Sequence, residues 1–139
     1  KVYLVKEISQ EIVMFEGEWN VGDWTNWVYG EAPGENKNFF KEHPVTAGMQ
    51  LLIYVDLKKP GEKWQLQIFN GHWEGMNLGI NSGAPNNVNS SLMDIVDGRI
   101  VLTINESMAE DLNTKNDWDG CSAVIFQAEN LIVKKIAIL

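Results

Sequence analysis

The sequence holds one cysteine, two histidines and eleven basic residues against nineteen acidic ones, and each shortage removes a class of function. A lone Cys121 can close no internal disulfide and has no second thiol for a C-x-x-C metal or redox pair, so it reads as a small buried residue. His43 and His72 stand far apart and outside any H-E-x-x-H spacing, which makes them loop residues rather than zinc ligands. A net charge of -8 repels phosphate backbones and anionic bilayers, so neither a nucleic-acid partner nor membrane insertion is expected. No apolar run approaches the length of a membrane span, and Lys1 to Lys6 carry no charged-then-apolar leader pattern. Also missing are a G-x-S-x-G elbow, a phosphate loop, a Cys–His pairing and an E-x-D-x-x-E strand motif. Glu16, Glu18, Glu31, Glu35, Glu42 and Glu74 are numerous enough to supply the carboxylate pair of a glycosidase, but number alone places no pair across a scissile bond. The chain is therefore read as not an enzyme.

What remains is a folded chain of 139 residues, 45% hydrophobic and 22% charged, a length and balance that fit one two-layer domain over residues 1–139. Its ends at Lys1 and Leu139 fall inside strand-like sequence, as expected of a module from a larger protein. Helical patterning is nearly absent, being confined to one short turn near 105–112, which Ser107 is expected to cap and which carries Met108 and Leu112 on one side. Apolar residues instead recur with period two in short runs bounded by turn residues. These are Glu11–Phe15, ending at Gly17; Leu51–Leu57; Trp64–Phe69; Arg99–Ile104; Ala123–Gln127; and Leu131–Leu139. Lys58 to Glu62 reads as a hairpin joining the second and third of these runs. The expected fold is all-β, a two-sheet antiparallel, jelly-roll-like sandwich. Two long polar stretches, 20–48 and 70–98, exceed ordinary connection lengths and are the places to look for function.

Tryptophan is in surplus, with six in the chain. Trp19, Trp24, Trp27, Trp73 and Trp118 lie beside Gly, Asn or Asp, and Trp64 opens a strand. A sugar ring shows a patch of C–H groups on one face and a rim of hydroxyls, so a protein grips it with an aromatic plate plus amides and carboxylates. Strand parity sorts the candidates. In Trp64–Phe69, Leu66 and Ile68 share one face with Trp64, while Gln65, Gln67 and Phe69 share the other. If Leu51, Ile53 and Val55 point inward on the neighbouring strand, Tyr54 and Asp56 fall outward beside those glutamines. Trp19 and Trp64 then pack, and the expected carbohydrate-binding set is Trp24, Trp27, Tyr54, Gln65, Gln67, His72, Trp73 and Asn77. No cofactor is expected. Asn116-Asp-Trp-Asp119 offers oxygens to a structural calcium, without the spacing of an EF-hand loop, and common Asp-rich turns look the same.

The segments "FEGEW", "WQLQIFNGHW", "DGRIVLTINESMAEDL" and "AVIFQAENLIVKKIAIL" resemble non-catalytic β-sandwich carbohydrate-binding modules. The resemblance is to those attached to polysaccharide-degrading enzymes and to glycan-binding surface proteins of gut and rumen Bacteroidetes. The best-matching positions are structural: Gly17, the Gly98 turn, and the final strand pair around Gln127 and Lys135. The resemblance implies a ligand along a concave sheet or its rim, held by Trp64–Gln67, Trp73, Trp24 and Trp27. It also implies a polysaccharide or oligosaccharide ligand of plant β-glucan type (xyloglucan, mixed-linkage glucan or glucomannan), an appended catalytic domain, and a monomer outside the cell or on its surface. Two other readings stay open, a structural or adhesion spacer and a small glycoside hydrolase or lyase.

Overall fold

The computed structural model describes residues 10–19, 23–116 and 122–139. Eight strands and two helices follow one another as β1 Ile12–Trp19, β2 Trp27–Tyr29, α1 Phe39–Glu42, β3 Gln50–Leu57, β4 Gln65–Asn70, β5 Asn87–Asn89, β6 Arg99–Thr103, α2 Glu106–Thr114, β7 Val124–Glu129 and β8 Leu131–Ile138. They form two four-stranded antiparallel sheets of order β1-β8-β3-β6 and β2-β7-β4-β5. Successive strands change sheet except at β4 and β5, which pair with each other, and the order is the interleaved one of a jelly roll.

Period-two alternation builds the core. Leu51, Ile53 and Val55 of the first sheet face Leu66, Ile68 and Phe126 of the second, all buried in one cluster with Ile100, Leu102, Val133 and Ile136. Burying such side chains at roughly 25 cal/mol per Å² is what holds the sheets together. The helix expected near 105–112 spans Glu106–Thr114 and is capped not by Ser107, which lies inside it, but by Asn105, whose Oδ1 accepts from the Met108 N–H at 2.8 Å. Among the described residues no helix is long and apolar enough to cross a membrane.

Three expectations are corrected. β1 runs through Gly17 to Trp19, with register shifts on either side of Phe15 and Glu16 that let it pass. β2 and β5, each three residues long, lie inside the two polar stretches taken as loops. Finally, 58–62 is not a hairpin, because β3 and β4 belong to different sheets. The inner faces of β3 and β4 are both apolar and meet across the core, so the connection crosses the sandwich instead of folding back within a sheet.

That crossing is held by Asn130, which makes the corner between β7 and β8 in a left-handed conformation (φ 60°). Its Oδ1 accepts from Lys59 N–H at 2.7 Å, and its Nδ2 donates to the carbonyls of Lys59 (3.1 Å), Lys63 (3.2 Å) and Glu62 (3.4 Å). One buried amide thus ties together two strand-to-strand connections that both change sheets.

Candidate functional site

The outward face of the second sheet follows from its register. Gln65 lies between Asn89 and Glu129, Gln67 between Asn87 and Gln127, and Phe69 beside Ile125, which itself pairs with Val28. Two rows of amides and a carboxylate therefore run into one apolar row. The polar rows are wired together. Asn89 Nδ2 donates to Asn87 Oδ1 (2.8 Å), Asn87 Nδ2 to Gln65 Oε1 (3.3 Å) and Gln65 Nε2 to Glu129 Oε1 (3.4 Å). Asn81 Nδ2 also reaches Asn87 Oδ1 at 3.3 Å, and Gln127 Nε2 donates to Asn26 Oδ1. An amide has two N–H groups and two lone pairs, so one used on a neighbour keeps others for an incoming hydroxyl.

Trp73 stands over the apolar row. Its ring lies 5.8 Å from that of Phe69, tilted by 49°, and the residue is 48% exposed. The turn beneath it is built by Asn70, which sits at an inward position of β4 where Leu66 and Ile68 predict another apolar residue. The Asn70 N–H donates to the Glu74 carbonyl (2.8 Å) and its own carbonyl accepts from Trp73 N–H (3.1 Å). Its Oδ1 accepts from the N–H groups of His72 (2.9 Å) and Glu74 (3.1 Å), and its Nδ2 donates to Glu74 Oε1 (3.0 Å). Gly71 lets the turn press on its neighbours, since a Cβ there would stand 1.9 Å from the Ser122 carbonyl oxygen and 2.6 Å from that of Lys115. The Asn70 hydrogen bond, followed by Lys115 at 3.4 Å, holds the Glu74 carboxyl below its ordinary range. Burial pushes the neighbouring Asp111 carboxyl up, with a hydrogen bond from Asn70 opposing it.

Trp24 marks the other end of the face. Its N–H donates to the Ala128 carbonyl at 2.9 Å, beside the Gln65–Glu129 row. That row lies four residues from the Phe69 row, about 13 Å along the strands. Trp24 and Trp73 both adopt left-handed backbone, with φ of 62° and 65°. The conformation is uncommon for a bulky residue and is retained where surrounding contacts impose it, a pattern that concentrates at functional sites. Next to Trp24, a cleft of about 360 Å³ is lined by Asp23, Lys59, Glu62, Lys63 and Glu129.

The structure thus brings Gln65, Gln67 and Trp73 to one face, with His72 next to Trp73 in the turn and the Trp24 backbone at the far end, and separates the other candidates from them. Tyr54 is on the outer side of the opposite sheet, where its hydroxyl donates to Glu11, Arg99 Nη1 donates to it at 3.3 Å, and Lys135 Nζ lies 4.9 Å from its ring. It was placed beside the glutamines by the hairpin that does not exist. Trp27 points inward, packing against Phe15 (4.6 Å), Trp19 (4.8 Å) and Phe126 (5.5 Å), with its Nε1 donating to Glu35 Oε2 at 3.0 Å. In β2 its parity is that of buried Tyr29, which the loop reading of 20–48 could not reveal. Asn77 turns its Oδ1 to the Gly79 N–H (3.0 Å) and its carbonyl to Asn105 Nδ2 (3.0 Å), at the capped end of α2. Trp19 and Trp64 are buried. Trp118 and Cys121 lie outside the described residues, as do three of the four residues of the calcium reading; Asn116 Nδ2 donates to the Leu112 carbonyl at 2.6 Å.

The sequence reading missed Asn87, Asn89, Gln127 and Glu129. Gln127 and Glu129 follow from the alternation that places Phe126 and Ala128 inward. Asn87-Val-Asn89 carries the same signal in three residues, too short a run to stand out in a polar stretch.

No protein-family model matches the chain, and no curated protein matches it in sequence. Among solved structures its fold is similar to part of the Bacteroides ovatus mixed-linkage glucan utilization locus protein SGBP-B, determined in complex with a mixed-linkage heptasaccharide. The TM-score is 0.54 at 15% identity, over 93% of this chain and 30% of that one. The chain thus spans less than a third of that protein's length, and the likeness is one of fold.

Proposed function

We propose that the outer face of the second sheet is a non-catalytic carbohydrate-binding surface for a plant-type β-glucan or related hemicellulose: mixed-linkage glucan, xyloglucan or glucomannan. The observation that carries this reading is Trp73, a half-exposed ring held in a left-handed turn where an amide-covered sheet face meets its apolar row. Trp73, with Trp24 at the far end, supplies the stacking surface. Gln65, Gln67, Asn89, Gln127 and Glu129 supply hydrogen bonds to hydroxyls, buried Asn87 ties Asn89 to Gln65 beneath them, and His72 adjoins Trp73 in the turn. The similarity in fold to a protein solved with a mixed-linkage heptasaccharide supports the ligand class.

The module acts by proximity, as a monomer outside the cell or on its surface, keeping an appended catalytic domain near its polysaccharide and needing no cofactor. An open face shared with water gives micromolar to millimolar affinity. Affinity electrophoresis against a panel of soluble polysaccharides tests the reading, and retardation by none of them would remove it. Trp73→Ala should weaken retardation at least about tenfold while the unfolding midpoint holds, as for a central aromatic anchor; unchanged retardation would place the site elsewhere.

The packing of Trp19, Trp27 and Trp64 supports a second reading, a structural spacer whose aromatics serve the core. Acrylamide quenching separates the two, because a spacer leaves Trp73 fluorescence indifferent to every polysaccharide. A hydrolase or lyase would instead release reducing ends or unsaturated products on prolonged incubation.

A further inference from the structure

We infer that Asn70 is a positioning residue for ligand binding, holding Trp73 in the one orientation from which its ring can stack on a sugar; this rests on the carbohydrate-binding reading above. Four observations converge on it. Asn70 is 1% exposed at an inward strand position, and a polar side chain is kept there at a desolvation cost unless its groups are fully used. They are used almost wholly on the five-residue turn 70–74: backbone N–H and C=O, side-chain Oδ1 twice and Nδ2 all bond to His72, Trp73 or Glu74. The residue they enclose, Trp73, is in a left-handed conformation that an L-residue with a bulky side chain does not hold unaided. The turn is also anchored from below, by the Gly71 contact with the Ser122 and Lys115 carbonyls and by the Glu74–Lys115 pair.

The consequence concerns affinity more than stability. An exposed ring on an unrestrained loop samples many orientations, and the apparent dissociation constant rises as the inverse of the fraction in the competent one. Without the Asn70 side chain, the left-handed state of Trp73 loses the two N–H bonds that select it over extended alternatives. If that leaves about one molecule in ten competent, affinity falls about tenfold with every sugar-contacting side chain intact.

The test uses soluble mixed-linkage glucan and protein labelled with 5-fluorotryptophan, the Trp73 resonance being assigned through Trp73→Phe. Asn70→Ala should broaden or split that resonance without ligand and weaken binding about tenfold. Asn70→Asp alone would set a second carboxylate against Glu74 Oε1, so the rescue pairs it with Glu74→Gln; the double variant keeps an oxygen for the His72 and residue-74 N–H groups and an amide donor across the pair, and should restore both to near the wild-type values. The loss should also vanish in a Trp73→Ala background, since a positioning residue has nothing left to position. An unchanged Trp73 resonance in Asn70→Ala would overturn the proposal, as would an equal loss of affinity with and without Trp73. Should Asn70→Ala not fold, the Asn70→Asp/Glu74→Gln double variant is compared with Glu74→Ala, which removes that Nδ2 partner and the Lys115 pair but leaves both Oδ1 bonds: the Trp73 resonance stays single in both, and its broadening in Glu74→Ala would overturn the assignment to Asn70. If wild-type protein binds no glucan, the binding reading fails, and the resonance still reports whether Asn70 orders the ring.

Discussion

Replacing Asn130 separates two costs that its position combines. In Asn130→Gly the left-handed φ of 60° remains comfortable, and what disappears is the side chain's set of bonds to the 59–63 crossing: one accepted at 2.7 Å and donated bonds at 3.1 and 3.2 Å, with a weaker one at 3.4 Å. Lys59 and Lys63 are exposed, so water can reach the groups left behind and each bond is worth the ordinary net value. Two to three such bonds amount to about 2–3 kcal/mol. Asn130→Ala loses the same bonds and must in addition hold a Cβ in the left-handed region, which costs about 1–2 kcal/mol. Part of this is offset by the roughly 0.5–1 kcal/mol of chain entropy that glycine gives up on folding. The alanine variant should therefore be less stable than the glycine variant by about 1 kcal/mol. Urea unfolding followed by far-UV circular dichroism measures both, and equal m-values confirm that the same transition is compared. Alanine as stable as glycine would mean that backbone strain at the corner is negligible. Losses under about 1 kcal/mol in both variants would mean that the clamp does not hold the crossing.

Two further outcomes follow from the same contacts. Gly71→Ala should cost about 1–3 kcal/mol in chemical denaturation, as overpacking against rigid backbone does, because the atoms its Cβ would meet are main-chain carbonyls; a neutral substitution would show that the Trp73 turn moves freely. Hydrogen bonds to Lys135 and then Tyr54 hold the Glu11 carboxyl below its ordinary 4.5, so the stabilisation from this cluster is present above pH 4.5 and drains as pH falls through the lower folded value. Glu11→Gln should accordingly flatten the loss of stability as pH falls below 4.5, and an unchanged acid limb would remove Glu11 from the account.

Where a run of alternating residues was long enough, its sequence carried the structure. The inward parity of Leu51–Val55, Leu66–Ile68 and Ile100–Leu102 is that of the core, and from it follow the outward parity of Gln65 and Gln67 and the burial of Trp64. The helix was legible from its apolar side, Met108 and Leu112, which is a local signal, but its cap was not: Asn105 caps it where Ser107 is the residue expected to. Asn70 was not legible in this way: it opens the polar stretch 70–98, and only the extension of β4 to Asn70 puts it at an apolar parity.

Tertiary structure decided the rest, because period two states which face a residue occupies and says nothing about which sheet. Tyr54 and Gln65 share the outward parity, yet they lie on opposite outer surfaces once the 58–64 segment crosses the sandwich. Trp27 looked like a loop residue until the pairing Trp27↔Phe126 turned it inward among the aromatics. Half of the strands in the sheet proposed to bind are three residues long and owe their conformation to the neighbours they pair with rather than to any pattern of their own. The sequence by itself determined an all-β chain with tryptophan and amide to spare. Long-range strand pairing alone determined which of those tryptophans and amides meet.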